Sequence, residues 1–214
     1  MKQTKETRAF NFEVRTEENE KHGHFLSGVP IVYEQTTNLG WYDETIARGA
    51  LDNTDLKDVR FLIGHNADMV PLARSRNNNE NSTMQMTVTD AGMEIRVDLD
   101  TENNDDSRRL YSAAQRGDIT GMSFAFTVDV DSDIWEDIDT DHPKRTITSI
   151  KRVFEVSAVA FPAYEGTTLE ARSQDAAPDG ARASLESARA ALKKQHEAER
   201  RAEALARLEK WRNT

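Results

Sequence analysis

Cysteine is absent from the 214 residues, so thiolate nucleophiles, cysteine zinc sites and disulfide frameworks are excluded and the chain is able to fold in a reducing compartment. Long hydrophobic runs are also missing. No apolar stretch approaches the roughly 20 residues that span a bilayer, and the opening Met1-Lys-Gln-Thr-Lys-Glu6 lacks the apolar segment of a secretory signal. A soluble intracellular protein with no membrane partner is expected. Positive charge is in deficit: the formal net charge is −10, and residues 173–214 hold nine Lys/Arg against seven Asp/Glu, leaving 19 against 31, or −12, for residues 1–172. Phosphate would be repelled by such a body, which argues against nucleic acid and favours a basic or amphipathic partner. The length suits one domain with its own core, plus an appendage.

What is present reads as mainly β. Arg8 to Val14 alternates as a half-buried strand, a charged turn follows over Thr16 to Lys21, and His24 to Val32 pairs back as a second strand ended near Pro30. Thr36 to Arg48 predicts a short helix or irregular loop before Gly49. Val59-Arg-Phe-Leu-Ile-Gly-His65 is a buried strand running into a histidine, and Ser82–Asp90 with Gly92–Asp100 is the clearest hairpin. From Asn103 to Arg116 the period turns helical, capped by Asn103 or Asp105 and stopped by Gly117. Arg145 to Phe161 is a long core strand, or two joined by a bend. Domain bounds follow: a body over 1–172, a linker over 173–181 rich in Ala, Pro, Asp and Gly, and an amphipathic helical tail over 182–214 that either meets a partner helix or stays solvated.

Three residues stand out chemically. Ser123 sits in the apolar strand Gly121-Met-Ser-Phe-Ala-Phe, either bonded to neighbouring backbone or acting as a nucleophile. His65 ends a core strand, as a structural histidine or a base facing a cleft. Glu155 interrupts Phe154-Glu-Val-Ser-Ala-Val-Ala-Phe161, where a carboxylate either faces out from an edge or needs a partner such as histidine. Acyl transfer needs this set of nucleophile, base and orienting group. The Asp129 to Asp141 segment holds seven acids and no base. Its Asp129, Asp131 and Asp133 suggest a calcium loop, but Ile134 replaces the sixth-position glycine and Thr140 the twelfth-position Glu, so no metal is expected and a solvated tip or charged lip is preferred. The order His, Ser, acid and the lack of a second elbow glycine after Ser123 exclude the α/β-hydrolase arrangement.

Five segments together resemble the prohead proteases of tailed bacteriophages: Gly23-His-Phe-Leu-Ser-Gly, Phe61-Leu-Ile-Gly-His65-Asn, Pro71-Leu-Ala-Arg-Ser75, Gly117-Asp-Ile-Thr-Gly-Met-Ser123-Phe-Ala-Phe, and Phe154-Glu155-Val-Ser-Ala-Val-Ala-Phe-Pro-Ala-Tyr164. The order and spacing run from about residue 8 to 172. The resemblance implies an α+β fold, mainly β with flanking helices, closed or nearly closed into a barrel similar to the herpesvirus assembly protease. It implies Ser123 as nucleophile, His65 as general base, and Glu155 where herpesvirus enzymes use a second histidine, with oxyanion donors near the turn Pro162 to Gly166. No cofactor is implied. Capsid and scaffold precursors are the implied substrates, self-cleavage and a homodimer are expected by analogy, and the location is the assembling prohead in the host cytoplasm. The rival expectation is an inactive scaffold or assembly protein that joins the capsid through its C-terminal helix.

Overall fold

The structure is a computed structural model, and it describes residues 5–11, 14–19, 23–129, 132–160 and 179–212. Asp131, the turn Pro162 to Gly166 and residues 173–178 of the expected linker lie outside the described residues. In chain order the elements are β1 (Glu6–Asn11), β2 (Arg15–Asn19), β3 (Gly23–Val32), β4 (Thr37–Asn38), β5 (Asp43–Ile46), β6 (Asp58–Ile63), β7 (Ala73–Arg76), β8 (Met84–Thr89), β9 (Gly92–Asp98), α1 (Asp105–Gln115), β10 (Gly121–Val128), β11 (Asp133–Glu136), β12 (Lys144–Ile147), β13 (Ile150–Val159) and α2 (Asp179–Arg212).

Strand alternation decides which face of each strand is buried. In β10, Met122, Phe124 and Phe126 point into the main core, where they meet Val153 and Val156 of β13 and Phe61 of β6. The intervening Ser123 and Ala125 therefore share the opposite face with Glu155 and Ser157. That sheet runs β1-β10-β13-β6-β7, a second runs β2-β3-β9-β8, and a third runs β11-β12-β5-β4. All three contribute to one apolar core, and Leu110 and Ala114 of α1 join it. Asn104 caps α1, its side-chain oxygen accepting from the N–H groups of Asp106 at 2.9 Å and Ser107 at 3.2 Å.

Several expectations need correction. Among the described residues the sheets do not close into a barrel. Closure would need ladders joining β7 to β8 and β1 to β2, and at the first of these the β7 N–H groups of Arg74 and Arg76 donate to the side-chain oxygens of Thr83 at 2.9 Å and Ser82 at 3.0 Å, so hydroxyls occupy the edge where backbone would pair. The expected pairing of the first two strands is also wrong. β1 pairs with β10, while the supposed turn contains β2, which pairs with β3. Pro30 lies within β3 at a register shift between Gly28 and Ile31 instead of ending it. The 36–48 segment holds β4 and β5 and no helix, because β5 pairs in parallel with β12.

The second, smaller core explains how α2 is held. Ala181 and Leu185 pack with Trp41 and Tyr42, against which Trp135 also lies. Trp135 Nε1 donates to Ser184 Oγ at 2.9 Å, and Arg189 Nε donates to the Ile138 carbonyl at 2.8 Å. After Arg189 the helix runs on exposed, apart from a half-buried Leu192, through Leu208.

Candidate active site

The β6–β7 connection builds the site. β6 runs parallel to β13, with Leu62 beside Ser157 and Ile63 beside Ala158. At its end Gly64 and His65 take φ values of 59° and 60°, turning the chain sharply back. Glycine adopts that left-handed conformation freely, but histidine does so against steric resistance. Two bonds to β13 hold the turn: Gly64 N–H donates to the Ala158 carbonyl at 3.0 Å, and His65 N–H donates to Ser157 Oγ at 3.2 Å. The imidazole is thereby carried over the face bearing Glu155.

His65 Nδ1 lies 2.6 Å from Glu155 Oε1. An ionised carboxylate only accepts, so it is served by a proton on Nδ1, and a neutral ring held this way presents Nε2 as a lone pair. Glu155 Oε2 accepts from Ser157 Oγ at 2.5 Å. Arg60, the register partner of Glu155, turns its guanidinium to Asp58 at 3.3 Å instead. Although Glu155 is only 4% exposed, both its oxygens are hydrogen-bonded, which is what permits a carboxylate inside an apolar strand.

Ser123 stands one strand away, directly opposite Ser157 in the β10–β13 register and on the same face as Glu155. Its hydroxyl donates to the Arg8 carbonyl of β1 at 2.7 Å, and the residue is 1% exposed. The structure thus joins His65 to Glu155 and brings Ser123 to the neighbouring strand, with its proton directed to β1 and not to the imidazole. Ser157 escaped the sequence reading. Its signal was available as a hydroxyl two residues beyond the buried carboxylate, on the same face of the same strand.

Two aspartates of the acidic segment are engaged by other protein groups. Asp133 accepts from the Arg145 guanidinium at 2.8 Å, and Asp129 from Ser149 Oγ at 2.9 Å. Among the described residues no group of three or more His, Asp or Glu is placed to hold a metal.

A family model for caudovirus prohead serine proteases matches residues 10–179. The chain belongs to that family. Membership makes it a peptidase of phage capsid maturation. The matched span of the prohead protease covers β6, β10 and β13 and hence all three candidate residues. No curated protein matches the chain. Among solved structures, the capsid assembly protease gp21 of bacteriophage T4 is similar at 14% identity with a TM-score of 0.40, over 73% of this chain and 99% of that one, a likeness too slight to carry an argument.

Proposed function

We propose that this prohead protease is a serine endopeptidase acting on capsid and scaffold precursors, with Ser123 as nucleophile, His65 as general base and Glu155 as the group that orients the base. The observation that carries the reading is the 2.6 Å contact of His65 Nδ1 with a buried carboxylate, one strand from a serine on the same face, which in the neutral ring leaves Nε2 as the free lone pair. In the reaction the Ser123 hydroxyl leaves the Arg8 carbonyl and turns toward Nε2. Nε2 takes the proton as Oγ adds to the scissile carbonyl, and the imidazolium then protonates the departing amine. Water, activated by the same nitrogen, releases the acyl group. The protease body over 1–172, with its tail over 182–214, works inside the assembling prohead in the host cytoplasm, as a homodimer, and trims its own chain.

Fluorophosphonate labelling tests this directly. Modification of Ser123 that is lost in His65→Ala supports the assignment, and labelling at another residue, or undiminished labelling without His65, overturns it. Self-cleavage is read by mass spectrometry, with active protein shorter than Ser123→Ala; identical termini in both would remove that part.

A second reading is favoured by one observation, the hydroxyl of a 1% exposed Ser123 held by Arg8. In that reading the body is inactive and the exposed part of α2 joins the capsid. A chain ending at Ala190 separates the two, since an enzyme keeps its labelling whereas an assembly protein loses incorporation into the shell.

A further inference from the structure

We propose that Ser157 is a positioning residue: it locks the Glu155 carboxylate in place and, through it, the tautomer and orientation of His65. The role rests on the serine-peptidase reading above. Four groups form a closed ring. His65 N–H donates to Ser157 Oγ at 3.2 Å, Ser157 Oγ donates to Glu155 Oε2 at 2.5 Å, and Glu155 Oε1 takes His65 Nδ1 at 2.6 Å. Histidine is therefore gripped at its main chain and its side chain by two residues of one strand. A glutamate with a single partner remains free to rotate its carboxyl plane, whereas bonds to both oxygens fix it.

Ser157 is 0% exposed, so bulk water does not take over the lost bond when the hydroxyl is removed. The same geometry argues against Ser157 as nucleophile. Its proton is committed to Glu155, and its oxygen faces the His65 backbone, not the ring. Of the two serines set opposite each other across β10 and β13, one holds the base and the other receives its action.

The test compares Ser157→Ala, Ser157→Thr and Ser157→Val in the full chain. Threonine keeps the hydroxyl, and valine has the shape of threonine without it, so the Thr/Val pair decides the matter even where alanine impairs folding. With a fluorophosphonate probe, the hydroxyl-less variants should phosphonylate about 10–100-fold more slowly at saturation with the probe's half-saturating concentration unchanged, and threonine should recover most of the rate. The second readout is the downfield NMR resonance of the His65 Nδ1 proton, recorded in a Ser123→Ala background. It should persist with Thr and vanish by exchange with Val, while the remaining amide spectrum is retained. A wild-type labelling rate, or an unchanged Nδ1 resonance in folded Ala or Val variants, overturns the proposal. Since the resonance is measured without Ser123, it judges Ser157 whether or not Ser123 proves to be the nucleophile.

Discussion

At the scale of single residues, the decisive property is a proton's location. Glu155 binds His65 Nδ1 at 2.6 Å, and as a carboxylate it only accepts, so in the proposed mechanism the base would be prepared before substrate arrives. Glu155→Gln keeps the volume but introduces a donor, which favours the wrong tautomer. Steady-state assays should show a fall of roughly 10²–10⁴-fold in rate with little change in melting temperature. Gly64 makes a simpler case. A Cβ there meets nothing within 4 Å, so Gly64→Ala should cost about 1–2 kcal/mol from its φ of 59° alone, as urea denaturation would measure. His65, Ser123 and Glu155 could be singled out as candidates because each breaks an apolar pattern. Ser157 was passed over although it follows the buried carboxylate by two residues on the same face, because a serine in a strand ordinarily bonds neighbouring backbone, and what the sequence could not show is that its hydroxyl also receives the His65 N–H from β6–β7.

At the scale of elements, local signals were read well and distant ones poorly. The β8–β9 hairpin, α1 and the strands carrying the site were visible from period and turn residues. The expected cap, Asn103 or Asp105, straddles the actual Asn104, within the usual uncertainty of a helix boundary. Asn104→Ala should lower stability by about 1 kcal/mol, seen as a drop in the thermal midpoint. β5 was hidden because its partner β12 lies about a hundred residues on, and β2 because its exposed charged residues carry no apolar stripe. For α2, the contacts run from Ala181 to Arg189. A chain ending at Ala190 should therefore melt with the full protein, whereas Leu185→Ala, which empties a buried position, should lower the midpoint.

Across the whole molecule, five charged groups cluster where β1, the third sheet and α2 meet, four of them sealed and Asp133 half-buried. Arg8 bonds Glu6 at 2.6 Å and Glu44 at 2.7 Å, and Arg145 reaches Glu6 at 2.7 Å, Glu44 at 2.8 Å and Asp133 at 2.8 Å. Arg145→Leu leaves Glu6 and Glu44 to the Arg8 guanidinium alone and takes the arginine from Asp133, and should cost roughly 3–5 kcal/mol by denaturant titration. Burial would push the Glu6 carboxyl up, but the hydrogen bonds and charges of Arg145 and Arg8 outweigh it and hold it below its ordinary value. Folded Glu6 thus binds its proton less readily than the unfolded chain does. Its contribution is complete above the ordinary carboxylate range and is lost as pH falls through the depressed value. The thermal midpoint should accordingly fall more steeply on acidification in the native protein than in Glu6→Gln. The absent barrel belongs to this scale too, since closure depends on which groups occupy the sheet edges, and alternation says nothing about that.

The six residues of β1 concentrate several duties in a small space. Arg8 offers its carbonyl to Ser123 and its guanidinium to the sealed charges, and the same strand pairs along the whole outer margin of β10 from Gly121 to Phe126. Tolerance to trimming should therefore end in a cliff. A cut ahead of Glu6 leaves all these bonds standing, whereas a cut after Asn11 at once bares a ladder, frees the alcohol of Ser123 and leaves Arg145 as the lone counter-charge beneath the tail.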